Sequence, residues 1–290
     1  MRRATENYSN DPTVAEIWQD DFVQEALQHP FLMETLLSMS ALHLQIHGDR
    51  TANWPLVAEL KKSRALKGYI SALSQVTDDN VLAAFCCSTL LPVTFLASSM
   101  PTHESTATYS EAVLLAVCTL FRLQCGCGAV MKTFKSDRLW TSRICKMMTR
   151  AANVQPGELP QDTTEMLAQI RSILEEPRYR QTDYGDLFLS AADHLERCLR
   201  LLSHDGRDLD IDSEHVFGWP VLCGELFVEA LANKEPPALA LLACYGAVYH
   251  HMRRLWFIGD WGQHIVRATS LLIDPTWNIA VTWARRRVEM

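Results

Sequence analysis

Residues 236–257 read PPALALLACYGAVYHHMRRLWF, and their apolar side chains are not confined to one face. Leu242, Tyr245, Tyr249, Met252 and Trp256 recur at alternating three- and four-residue steps, which makes one helical stripe. Leu241, Cys244, Val248, His251 and Leu255 make a second stripe beside it. The spacing predicts a helix over 236–257, and a helix apolar most of the way round is a buried one. Paired prolines suit its first turn, and Arg253 and Arg254 suit its negative end. Gly246 and Ala247 leave room near the middle for a second helix or for a ligand. Tyrosine, histidine and tryptophan tips on an oily surface suit a pocket for a large apolar molecule, and equally an ordinary core helix.

Working outward, no segment alternates with period two for long enough to argue a strand. The fold class expected is all-α: a single multi-helix domain of about ten to twelve helices around the buried C-terminal helix. Residues 1–13 read as a flexible N-terminal segment and residues 14–290 as one helical domain, since no linker-like composition divides the 290 residues. A first helix is expected over 14–28, and a second from Pro30 to the glycine stop at Gly48. The helix of 53–76 is expected to turn Leu60, Leu66, Tyr69, Ile70 and Leu73 inward. Residues 81–100 carry no charge, the length of a membrane span, but their serines, threonines and Pro92 favour a buried helix kinked near that proline. A further apolar helix over 111–123 is expected to break at Cys125-Gly126-Cys127-Gly128.

Hydrophobic residues make up 48% of the chain and charged residues 21%, a globular composition. A net charge of −7 argues against broad contact with nucleic acid, whose phosphates attract basic patches. Nine cysteines, an odd number set mostly in apolar helical patterns, read as buried free thiols of an intracellular protein, cytoplasmic or nuclear. No C-x-x-C, G-x-S-x-G, P-loop or H-E-x-x-H occurs. No cofactor or metal is therefore expected, and His43 and His47, one turn apart, read as a packed pair. Asp20-Asp21-Phe22-Val23-Gln24-Glu25 has the wrong acidic spacing for a diphosphate-binding metal motif and reads as an exposed helix face.

Two stretches carry a family pattern: residues 18–44, with HPFLMETLLSMSALHL, and residues 216–266, VFGWPVLCGELFVEALANKEPPALALLACYGAVYHHMRRLWFIGDWGQHIV, with the Trp277 and Trp283 segment after it. They resemble the regulatory, ligand-binding domain of fungal zinc-cluster transcription factors, of the sterol-uptake-control type. That resemblance implies an all-helical ligand-sensing domain for transcription regulation, often dimeric, around a sterol-sized apolar pocket. The cysteine spacing of the DNA-binding zinc cluster is absent, so direct nucleic-acid binding is not expected, nor is a membrane span. Phe217, Trp219, Tyr245, Tyr249, His250, Trp256, Trp261 and His264 are the expected pocket lining for a sterol, terpenoid or polyketide. The alternative is a stand-alone enzyme of secondary metabolism, a cyclase or isomerase using the same pocket. His250, His251, Asp260 and His264 are its candidate acids and bases.

Overall fold

The computed structural model describes residues 12–99, 106–134, 136–148, 155–203 and 209–289. It is helical throughout, with no strand among the described residues. Most of the segment expected to be flexible, residues 1–11, lies outside them. In chain order the helices are α1 (Pro12–Glu16), α2 (Phe22–Gln28), α3 (Pro30–Ile46), α4 (Trp54–Leu73), α5 (Val81–Ser98), α6 (Thr106–Thr133), α7 (Asp137–Thr141) and α8 (Arg143–Met148). They continue as α9 (Gln161–Leu174), α10 (Pro177–Arg180), α11 (Gly185–Leu202), α12 (Leu209–Cys223), α13 (Glu225–Ala232), α14 (Pro236–His251), α15 (Trp261–Leu272) and α16 (Asn278–Val288). These exceed the expected ten to twelve because short helices, α1, α7, α8 and α10 among them, carry too few residues to show a period. A π-turn over Ile17–Asp21 joins α1 to α2, and there Trp18 stacks on Phe22 at 4.2 Å.

Helix α14 is the hub. Every residue from Pro237 to His250 is buried, and α6, α9, α11, α12, α13, α15 and α16 contribute to the core that encloses it. Gly246 meets a helix rather than open space. A Cβ there would stand 2.8 Å from an Ile265 methyl and 2.9 Å from a Val266 methyl, both on α15. From the other side, a Cβ on Gly262 would stand 2.5 Å from the His250 nitrogen and 2.6 Å from the Gly246 oxygen. The two helices therefore cross with backbone against backbone, which only glycine permits. The expected helix of 236–257 ends earlier, with Met252 as its C-cap. Turns then carry Leu255, Phe257 and Ile258 into the core, and Gly259 (φ +48°) reverses the chain into α15.

Helices α1 to α8 supply a second core, built on α5, to which α6 contributes Val130. By length and composition alone α5 and α6 could each cross a membrane, but 72% of the α5 window is buried inside the fold. The α5 helix is continuous from Val81 to Ser98 with Pro92 inside it. Its polar side chains are satisfied locally: Ser88, Thr89 and Thr94 donate to the Phe85, Cys86 and Leu91 carbonyls.

Two expectations need correction. Helix α6 does not break at 125–128 but runs on to Thr133. Gly128 there gives close access to α12, since a Cβ would stand 2.5 Å from a Val221 methyl, and the Cys125 thiol donates to the Pro220 carbonyl at 3.4 Å. On α4, Tyr69 is buried, but Leu60 is 53% and Ile70 66% exposed. Ala58, Ala65 and Tyr69 form the face against α3 instead. Small residues let the helices approach closely, so the larger aliphatic side chains are left outside.

Candidate functional site

The expected pocket lining does not surround one space. Trp219 stacks on Tyr245 at 4.4 Å, Phe121 meets both rings edge-on, and Tyr245 leads to Tyr249 at 5.1 Å. Phe217 closes the series, T-shaped against Tyr249 at 5.9 Å. This ladder is packed core, and its polar tips are used inside it: Trp219 Nε1 donates to the Ala191 carbonyl, and the Tyr245 hydroxyl to the Val216 carbonyl at 2.7 Å. The Tyr249 hydroxyl is buried beside the Gln124 amide without hydrogen-bond geometry to it, and burial pushes the pKa of both tyrosines' phenols up, which keeps them protonated.

Trp261 and His264 belong to the contact of α15 with α5 and α6. Trp261 Nε1 donates to the Leu96 carbonyl, and the Tyr109 hydroxyl lies 2.6 Å from His264 Nδ1. Trp256 is wedged between the two cores, packing against both and against the small cluster of Ala41, Leu42 and Ala58. His43 meets it edge-on at 5.1 Å and stacks on His47 at 4.0 Å. Among the described residues no group of three His, Cys, Asp or Glu side chains could hold a metal. The stretch 20–25 is not the exposed face expected of it: Phe22 and Glu25 are buried, Arg138 of α7 reaches Glu25 at 2.9 Å, and Arg143 of α8 reaches Glu16 at 3.1 Å and Asp21 at 3.5 Å.

Of the expected residues, His250 and His251 do line an open space. It is a cleft of about 350 Å³ at the C-terminal end of α14, shared with the 155–160 segment, α9, α11 and α16. Leu159, Leu199, Leu202 and Val248 make its apolar walls, and Thr163, His250, Arg253, Trp283 and Arg287 its polar ones. The far wall is braced: Arg287 lies over the Trp283 ring at 3.9 Å while its Nη2 donates to both Asp162 oxygens and to Thr163 Oγ1. Trp283 Nε1 also donates to Thr163 Oγ1. Thr163, Leu199, Leu202, Trp283 and Arg287 were not among the expected site residues. Trp283 and Arg287, four apart on the last helix, were the one sequence signal of this wall, since that spacing stacks them.

His250 is the side chain of this cleft least satisfied by its surroundings. It is 5% exposed, and its Nδ1 has no hydrogen-bond partner among the described residues. Burial, and then the nearby Arg253 charge, push its pKa below the ordinary 6.5, with Asp260 opposing more weakly. Asp260, one of the candidate catalytic residues, thus touches this site only through its charge, and His264 not at all. The sign of the pH effect follows. The unfolded chain takes up a proton on this residue near 6.5 while the folded chain resists it, so stability is lost as the pH falls through 6.5 toward the folded pKa. Thermal melts between about pH 7.5 and pH 5 should fall more steeply for the wild type than for His250→Asn. Parallel profiles would show that His250 is not held neutral.

No protein-family model matches the chain, and no curated protein matches it. The functional reading therefore rests on the cleft.

Proposed function

We propose that this chain is a binding module for an apolar small molecule, of the regulatory, ligand-sensing kind, and that its ligand occupies the cleft at the end of α14. The observation that carries the reading is a roughly 350 Å³ cleft walled by Leu159, Leu199, Leu202 and Val248, with His250 and Arg253 among its polar groups. Ligand pockets run from about 300 to 1,000 Å³, apolar with a few placed polar groups. A hydroxyl, carbonyl or carboxylate of the ligand would meet those polar groups. Sterols, terpenoids and polyketides offer such a group on an apolar body. Because the walls come from α9, α11, α14 and α16, an occupant that fits one arrangement of these helices better than another would shift their population. That is the minimum a sensor needs, and a dimer would be one way to read it out.

Native mass spectrometry of the purified protein, followed by solvent extraction, tests this. The expected result is an apolar compound carried at near one per chain by the wild type and absent from Ala247→Leu, whose larger side chain enters the cleft from a position that lines it. Far- and near-UV circular dichroism of the two proteins should agree, which separates loss of the compound from loss of the fold. Equal retention by both variants would place the ligand elsewhere and overturn the assignment. His250 held neutral also suits a general base. Appearance of an isomerised compound on incubation with extracts, lost in His250→Ala, would make the cleft catalytic rather than sensory.

A further inference from the structure

We infer that the cleft selects a carboxylic acid with an apolar body, the acid lying against Arg253; this rests on the cleft being a ligand site. Among the described residues, the lining contains two arginines and two histidines and no acidic side chain, in a chain whose net charge is −7. The two arginines are not equivalent. Arg287 is committed to Asp162, to Thr163 and to the Trp283 ring. Arg253 is exposed at the rim, and its one hydrogen bond among the described residues goes to the His250 carbonyl at 3.3 Å. That bond covers a carbonyl at the negative end of α14 and leaves the guanidinium without a carboxylate. Across the cleft, Pro160 and Thr163 belong to the start of α9, the positive end of a 14-residue helix whose N-cap, Pro160, supplies no side-chain cap.

Among the described residues, the acids near Arg253 do not fill this role. Asp162 is held by Arg287, and Asp260 acts on His250 from outside the lining. A carboxylate at the rim would meet Arg253 in the fork geometry guanidinium favours, with the tail running along Leu159, Leu199, Leu202 and Val248. An amine of the same length meets only like charge.

Titration calorimetry with dodecanoate, dodecanol and dodecylamine, all below their aggregation concentrations, tests the head group with the tail held constant. The wild type is expected to bind dodecanoate about tenfold more tightly than dodecanol, the factor one charge-assisted hydrogen bond of ordinary strength supplies. Dodecylamine should bind most weakly. Arg253→Gln should bring dodecanoate down to the affinity of dodecanol without changing the melting temperature, and Arg253→Lys should keep part of the preference. If dodecanol or dodecylamine binds as well as dodecanoate, and Ala247→Leu abolishes all binding, the cleft reading stands and the acid selectivity is overturned. A preference for the acid untouched by Arg253→Gln overturns it too. If none of the three binds, both fail together.

Discussion

Trp219→Ala should remove about 3–5 kcal/mol of stability, the largest single loss expected in this molecule. Trp219 is 1% exposed, stacks on Tyr245, meets Phe121 and Phe227 edge-on, and ties α12 to α11 through its bond to the Ala191 carbonyl. Removing the indole opens a cavity beside α14 and leaves that carbonyl unsatisfied. Urea unfolding followed by circular dichroism measures the loss. The outcome also decides between core and pocket. A lining residue of an open pocket could be truncated at a cost well under about 2 kcal/mol, because no packed neighbours would be lost. A loss that small would mean that the aromatic ladder does not carry the fold.

Gly262→Ala is the second. Its Cβ would fall on backbone atoms of His250 and Gly246, which cannot swing aside as the end of a side chain can. The two helices must separate, and overpacking of this kind costs about 1–3 kcal/mol. Because His250 is one of the atoms displaced, the same substitution should weaken ligand retention in the cleft. Gly126→Ala is the matched control: nothing lies within 4 Å of its Cβ, and it sits inside α6. There the methyl should stabilise by about 0.5–1 kcal/mol, since only the backbone entropy of the unfolded chain changes. Equal effects at the two glycines in denaturant titrations would mean that α14 and α15 do not cross at close range.

The centre of the fold was legible because burial all round a helix leaves its mark on every residue of the helix. Residues 237–250 carry no charged side chain apart from histidine, and the structure buries each of them. Gly246 signalled a close approach without naming the partner, since Gly262 lies sixteen positions on and is one among twelve glycines. Residues 125–128 misled because a glycine inside a helix costs only about 0.5–1 kcal/mol, which packing on either side of it can offset, so α6 runs through the exposed Gly126 unbroken. At Gly128 the missing side chain lets Val221 approach, which the sequence does not show. Met252 to Ile258 misled for the opposite reason: the apolar period continues through a turn that buries Leu255 and Phe257 without a helix.

The site was less legible than the fold. Aromatic side chains with polar tips suit both a pocket and a core, and at Trp219, Tyr245 and Trp261 it is backbone carbonyls that take up the tips. The cleft is assembled from residues near 160, 200, 250 and 285, each unremarkable in its own segment. Of these, His250 was reachable from sequence because it interrupts an apolar helix end. Thr163 and Leu199 were not, because what makes them part of a site is only their distance from α14.

The most direct measurement is photolabelling with a pair of dodecyl probes, one acid and one alcohol, each carrying a diazirine in the tail, followed by peptide mapping. Label is expected on the peptides that hold Leu159 to Thr163, Leu199 to Ser203, Ala247 to Arg253 and Trp283 to Arg287, and should be lost in Ala247→Leu. Label on the exposed aliphatic face of α4 at Leu56, Leu60 and Ile70, or label undiminished in that variant, would mean that the cleft is not the ligand site.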